Sequence, residues 1–181
     1  MTERKRRSQK ALWLKKGAVF LLCFLLLFSS VSCKSQKSGP VTEVSSREEQ
    51  AEICGFSPLP VSFPDFSISA YRTVYGIVAE TEYAAGSEKH AVLRMADAGY
   101  TITDLSGFAD TGLEDVYTHT DGREFEIETR DGVYAVEWRD EYDGKEYLFS
   151  LTLFGGELVE MRQMLRGVLD ACAAENEKEG A

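Results

Sequence analysis

The clearest pattern in the chain lies between Asp121 and Leu153. Apolar and polar residues alternate there in three runs, Glu124–Glu128, Tyr134–Arg139 and Tyr147–Leu153. Such a period of two belongs to strands with one dry and one wet face. Asp121-Gly122, Asp131-Gly132 and Asp143-Gly144 punctuate the runs. Asp-Gly suits the positive-φ positions of tight hairpins. Together they predict a four-stranded antiparallel meander with Tyr134, Val136 and Trp138 on its apolar face.

The period then changes. Leu158, Met161, Leu165, Val168 and Cys172 recur at spacings of three and four, the stripe of an amphipathic helix over Glu157–Ala174. Gly155-Gly156 precedes it, and Glu157 and Glu160 suit its N-terminal dipole. Further upstream, Ile68–Tyr71, Val74–Tyr83 and His90–Met95 are rich in β-branched and aromatic residues, so they predict strands, with Ala84-Ala85-Gly86-Ser87 as a turn. Asp97–Leu113 reads as a loop with at most one short strand. Ser46-Arg47-Glu48-Glu49 is a capping box opening a short helix to about Cys54, closed by Gly55. Pro58, Pro60 and Pro64 then impose an extended segment. A one-faced sheet and a striped helix bury each other. The expected fold is therefore α+β: an antiparallel meander sheet with one face covered by a C-terminal helix and a short N-terminal helix.

The N-terminus follows other rules. Arg4-Lys5-Arg6-Arg7, Lys10, Lys15 and Lys16 precede an apolar run, Gly17–Phe28, and then Ser29-Ser30-Val31-Ser32-Cys33. Basic, apolar and small residues in that order read as an export signal over 1–32. Residues 33–45 read as a polar spacer, 46–174 as one α+β domain and 175–181 as a charged tail. Twelve apolar residues are short for a membrane span, which needs roughly 20. An uncleaved anchor and plain secretion remain the alternatives to a processed, anchored chain.

Charge sharpens the picture. Residues 33–181 hold 13 basic and 29 acidic residues, a formal charge of −16. That balance excludes nucleic acid as a partner. Of four cysteines, Cys23 lies in the leader and Cys33 at its end, leaving Cys54 and Cys172 as the one candidate intrachain disulfide outside the cytoplasm. His90 and His119 show no zinc spacing with them, so neither metal nor cofactor is expected.

Other candidate chemistry is weaker. Asp104, Asp110, Glu114 and Asp115 beside Gly107 and Gly112 do not follow the spacing of a calcium loop. Ser106 lacks a nucleophile elbow, and His90 and His119 read as surface residues. Tyr71, Tyr75, Tyr83, Tyr117, Tyr134, Tyr147 and Trp138 are candidates for a cleft lining, with Trp138 and Tyr134 expected in the core. Tyr142, next to a turn, is the expected exposed aromatic contact.

The stretch Val31-Ser32-Cys33 resembles the lipobox of bacterial lipoproteins, with Ser30 where leucine is usual. The resemblance implies diacylglycerol on Cys33 and the membrane as partner. The sequence from Cys54-Gly55-Phe56 through Arg94-Met95-Ala96, Asp104-Leu105-Ser106-Gly107, the late tryptophan and the closing helix is similar to uncharacterised lipoproteins of clostridia. In outline it is also similar to the domain-of-unknown-function 4367 family. These resemblances imply an extracytoplasmic address and no catalytic residues. The expected function is a non-enzymatic binding or interaction domain contacting an envelope protein or polymer. The alternative is an envelope hydrolase or a carrier of a small apolar ligand.

Overall fold

Turn chemistry sets the architecture. Asp131 and Asp143 lie at φ 54° and 53°, each followed by a glycine at 76° and 65°, the conformations that a two-residue hairpin requires. At the third Asp-Gly only Gly122 is left-handed, at φ 87°. His119 N donates to Arg123 O (2.9 Å) and Gly122 N to His119 O (3.0 Å), a wider loop. The computed structural model describes residues 40–102, 104–107 and 111–179. The 1–32 leader, Cys33 and the first part of the spacer lie outside them.

Eight strands follow: β1 (Val41–Val44), β2 (Ser67–Val74), β3 (Val78–Ala85), β4 (Lys89–Asp97), β5 (Gly112–Thr118), β6 (Glu124–Arg130), β7 (Val133–Tyr142) and β8 (Lys145–Phe154). Two helices join them, α1 (Arg47–Cys54) and α2 (Leu158–Glu179). All strands form one antiparallel sheet in the order β1-β2-β3-β4-β8-β7-β6-β5. The chain lays down β1 to β4 side by side, crosses to the far edge, and returns through β5 to β8. The last strand thus pairs with β4 at the centre, Leu93 opposite Leu151 and Met95 opposite Phe149. The α+β expectation holds in full.

Three boundaries differ from the sequence reading. Val74–Tyr83 is not one strand, because Tyr75 and Gly76 adopt φ 52° and 71° and make a hairpin turn. Part of the expected spacer is folded: Val41–Val44 pairs with β2, from Val41 opposite Val74 to Val44 opposite Tyr71. The expected charged tail is helical as far as Glu179, held by Asn176 Nδ2 donating to Glu141 O at 2.8 Å and by a Lys178–Glu175 ion pair at 2.6 Å.

One face of the sheet carries the main core. Met161, Leu165, Val168, Leu169 and Cys172 of α2 are buried against Ile127, Val136, Trp138, Phe149, Leu151 and Leu153. Burying each such side chain is worth about 1.5–3 kcal/mol. Trp138 stacks on Phe149 with ring centroids 5.3 Å apart, and Tyr134 packs half-buried against the same cluster. Two ion pairs flank α2, Arg162 with Asp115 of β5 (2.6 Å) and Lys89 of β4 with Glu160 (2.7 Å). Gly155 allows the entry to the helix. It sits at φ 67°, and a Cβ there would lie 2.3 Å from Glu88 O.

The rest of that face is covered by α1 and residues 56–63. Ser46 Oγ accepts from Glu49 N (3.3 Å) as a capping box requires, and the Glu49 carboxylate accepts from Ser45 N (2.8 Å). Gly55, at φ 78°, closes the helix by donating to Ala51 O. Gln50 is fully buried; its Nε2 donates to Arg72 O (2.8 Å) and Glu80 O (2.7 Å), fastening α1 to β2 and β3.

Candidate functional site

The cover over β2 and β3 leaves a gap. A proline-rich segment has no helical stripe to deliver side chains at regular intervals. Between it and the sheet lies a cleft of about 270 Å³, lined by Arg47, Leu59, Pro60, Val61, Ser62, Ile68, Tyr71, Thr81 and Tyr83. The register explains the sheet side: Tyr71 pairs with Thr81 and Ile68 with Tyr83, and a bulge between Ile68 and Ala70 puts Ile68 on the same face as Tyr71 although three residues separate them. Tyr83 OH donates to Val61 O (3.1 Å), which fixes the proline segment over the strand. Burial, and then Tyr71, push its phenol above the usual range, with Arg47 opposing. Phe63 packs edge-on against Tyr83, with ring centroids 4.7 Å apart. Ile68 stays exposed at the rim.

Arg47 is the one charged residue in this lining, and none of the lining residues is acidic. It stands at the first position of α1, where the helix dipole favours an acid. The cleft begins three residues along β2 from the pair Val41–Val74 and ends six residues from it. At about 3.3 Å per residue this is roughly 10–20 Å from the point where the chain enters the sheet.

The opposite face carries charge. Glu80 lies between Arg72 Nη1 (3.2 Å) and Arg94 Nε (2.8 Å), and Arg72 also pairs with Glu82. Arg94 Nη1 donates to the carbonyls of Leu105 (2.9 Å) and Ser106 (2.5 Å), while Ser106 N donates to the Glu137 carboxylate. Leu105 packs on Val78 and Ala96 beneath. These contacts hold the β4–β5 connection on the sheet. The carboxylate of Asp104 accepts from Ser106 Oγ (2.8 Å) and Gly107 N (2.7 Å), and Asp115 is engaged by Arg162. Asp110 lies outside the described residues. Among the described residues no group of three or more His, Cys, Asp or Glu side chains is placed to hold a metal ion.

His119 is buried, contrary to the surface position expected. Its Nδ1 is 3.1 Å from Asp121 Oδ2 and its Nε2 3.2 Å from Asp170 Oδ1. Arg123 bridges Asp121 (2.7 Å) and Asp140 (2.9 Å). The backbone N–H of Arg123, and then the side chains of Arg123 and His119, hold the Asp121 carboxyl well below its usual range. The cluster braces the β5–β6 hairpin against β7 and α2. His90 stacks on Phe154 at 4.2 Å.

Tyr142 is buried rather than exposed. As the last residue of β7 its ring turns inward, 6.0 Å from that of Tyr147. Cys54 and Cys172 are free thiols, and the bridge considered between them is not formed. Both pack on the core as small apolar side chains. Burial pushes Cys54 up to about 11 and Cys172 up to about 12, the latter with a contribution from Asp140. Of the candidate aromatic lining, Tyr71 and Tyr83 reach the cleft, whereas Tyr75 is exposed at a turn and Tyr147 is core. Arg47, Ile68 and Thr81 were not singled out from the sequence; an arginine opening a capped helix was the available signal.

No family model, curated protein or solved structure matches the chain. Among the described residues, no helix is long and apolar enough to cross a membrane.

Proposed function

We propose that the chain is an extracytoplasmic lipoprotein, tethered through Cys33, whose folded part is a non-enzymatic binding domain. The observation that carries this reading is the cleft under residues 59–62. It is concave and mostly apolar, with one guanidinium at its wall, the composition of a small recognition site. It also lies roughly 10–20 Å along the sheet from the chain entry, which suits a site presented away from a tether. An envelope protein or polymer would be met there by a protruding group, not by a broad surface.

The test is crosslinking on intact cells. Wild type should give a discrete adduct, and Ile68→Asp, which alters an exposed rim residue, should lose it while keeping the wild-type melting temperature. Cys33→Ala should abolish incorporation of labelled fatty acid. An adduct unchanged by Ile68→Asp would remove the cleft from the reading, and wild-type protein that takes up no fatty acid would remove the tether.

A further inference from the structure

Resting on the reading of the cleft as a binding site, we infer that its ligand is a single carboxylate carried on a small aromatic or branched apolar body. Three observations lead there.

The first is charge. Residues 33–181 hold 29 acidic side chains, yet none lines the cleft, and Arg47 does. The overall charge of −16 repels anions at long range, but that field is screened beyond about 8 Å at physiological salt. Inside the cleft the local guanidinium governs. Its fork matches a carboxylate with two parallel hydrogen bonds.

The second is the position of Arg47. At the first turn of α1 a cation opposes the helix dipole, and Ser46, Glu48 and Glu49 already supply the cap and the acids that this turn favours. Arg47 forms no ion pair among the described residues. Its neighbour Glu48 offsets part of this cost, but a residue that breaks a local rule without an ion pair is the kind found at functional sites.

The third is the wall. Leu59, Pro60, Val61 and Ile68 supply apolar surface, while Ser62, Tyr71 and Thr81 bring hydroxyl groups. The Tyr83 hydroxyl is committed to Val61 O. A volume of about 270 Å³ is near the lower end of ligand pockets and exceeds the roughly 150 Å³ that holds a benzene ring, so one ring or branched side chain fits together with a short chain that bears the carboxylate.

The experiment uses the full chain in nanodiscs, with isotope-labelled methyl groups and 3-phenylpropionate as the probe. Millimolar probe should shift the methyl signals of Leu59, Val61 and Ile68 and leave Leu113, exposed on the far edge, in place. The amide, 3-phenylpropionamide, should bind at least tenfold more weakly. Arg47→Gln should erase the difference between acid and amide, and Arg47→Lys should restore part of it; unchanged methyl signals of Leu165 and Val168, buried in the α2 core, show that both variants are folded. Equal binding of acid and amide by wild type would overturn the inference and leave the binding reading standing. No shift of the cleft methyls with either probe would overturn both. The same pair of measurements on acetyl-Gly-Phe, as free acid and as amide, separates two sources of the carboxylate. Binding at least tenfold tighter than 3-phenylpropionate assigns a peptide terminus, and equal or weaker binding assigns a small acid.

Discussion

One face of the sheet is covered twice, and the two covers differ. Over β6, β7, β8 and β4 lies α2, 22 residues long, which delivers Met161, Leu165, Val168, Leu169 and Cys172 into a filled core. Over β2 and β3 lie an eight-residue helix and a proline-rich strap. The strap buries Phe56, Leu59, Val61 and Phe63 in the core and is hydrogen-bonded from Tyr83 to Val61 O, yet beside that bond the cover is incomplete. A periodic element fills space because its side chains arrive on schedule; an irregular one leaves whatever its prolines cannot reach. On this sheet, therefore, regular cover makes stability and irregular cover makes a site.

The largest expected effect tests that division directly. Leu165→Ala removes a fully buried side chain from the α2 interface and should cost about 2–5 kcal/mol, transfer and cavity terms together. Val61→Ala, at the cleft wall, should cost about 1.5 kcal/mol, the transfer term for two carbons, because solvent can enter the enlarged space. Urea denaturation of both variants measures the contrast. Equal losses would mean that the strap is packed as tightly as the helix.

Acid provides a smaller effect with a worked sign. Arg162 lowers the Asp115 carboxyl, and Lys89 with the Glu157 backbone lowers Glu160. Asp121 is lowered by Arg123 and His119. All three contacts secure α2 or the hairpin beside it. A carboxyl depressed in the folded state stabilises above the usual carboxylate range, and that contribution is lost as pH falls through the folded-state value. On the α1 side Glu48 is held low, by its backbone and Ser46 contacts. Between about pH 5 and 2, hydrogen exchange should therefore accelerate more in α2 than in α1. Equal acceleration would refute the assignment.

The smallest effect leaves stability untouched. In a Cys23→Ser, Cys33→Ser chain at pH 8, both remaining thiols should be neutral and slow to alkylate, since burial raises both. Cys54, half-buried at the end of α1, should react before Cys172, which is buried on the inner face of α2. After denaturation without reductant two thiols should titrate; none would mean that the cysteines are bridged.

Much of the regular half was legible in the sequence. Asp131-Gly132 and Asp143-Gly144 gave the hairpins, alternation gave β6 to β8, and the stripe from Leu158 to Cys172 gave α2, because each is a local pattern with one physical reading. The misreadings have local causes too. Tyr75 adopts φ 52° although tyrosine is no turn former, so Gly76 alone signals the turn inside an apolar run. Val41–Val44 is too short to stand out from a polar spacer. Tyr142 sits beside a turn but on the inward side of its strand. The cleft was not legible, because it joins residues 47, 59–62, 68, 71, 81 and 83, whose meeting depends on which way the strap crosses the sheet.

The seam between β4 and β8 bears on how the molecule is made. A chain is synthesised from its N-terminus, and β1 to β4 can pair as soon as they exist. The free edge of β4, which the finished protein hides at the centre of the sheet, then waits for residues 145–154. During that interval it is an unpaired edge, open to any extended segment that comes near. Closing it requires a contact spanning some fifty residues, from Met95 to Phe149, of the kind that forms late. The central seam of the sheet is therefore also its last stitch, and a growing chain would need its surroundings to guard β4 until that stitch is made.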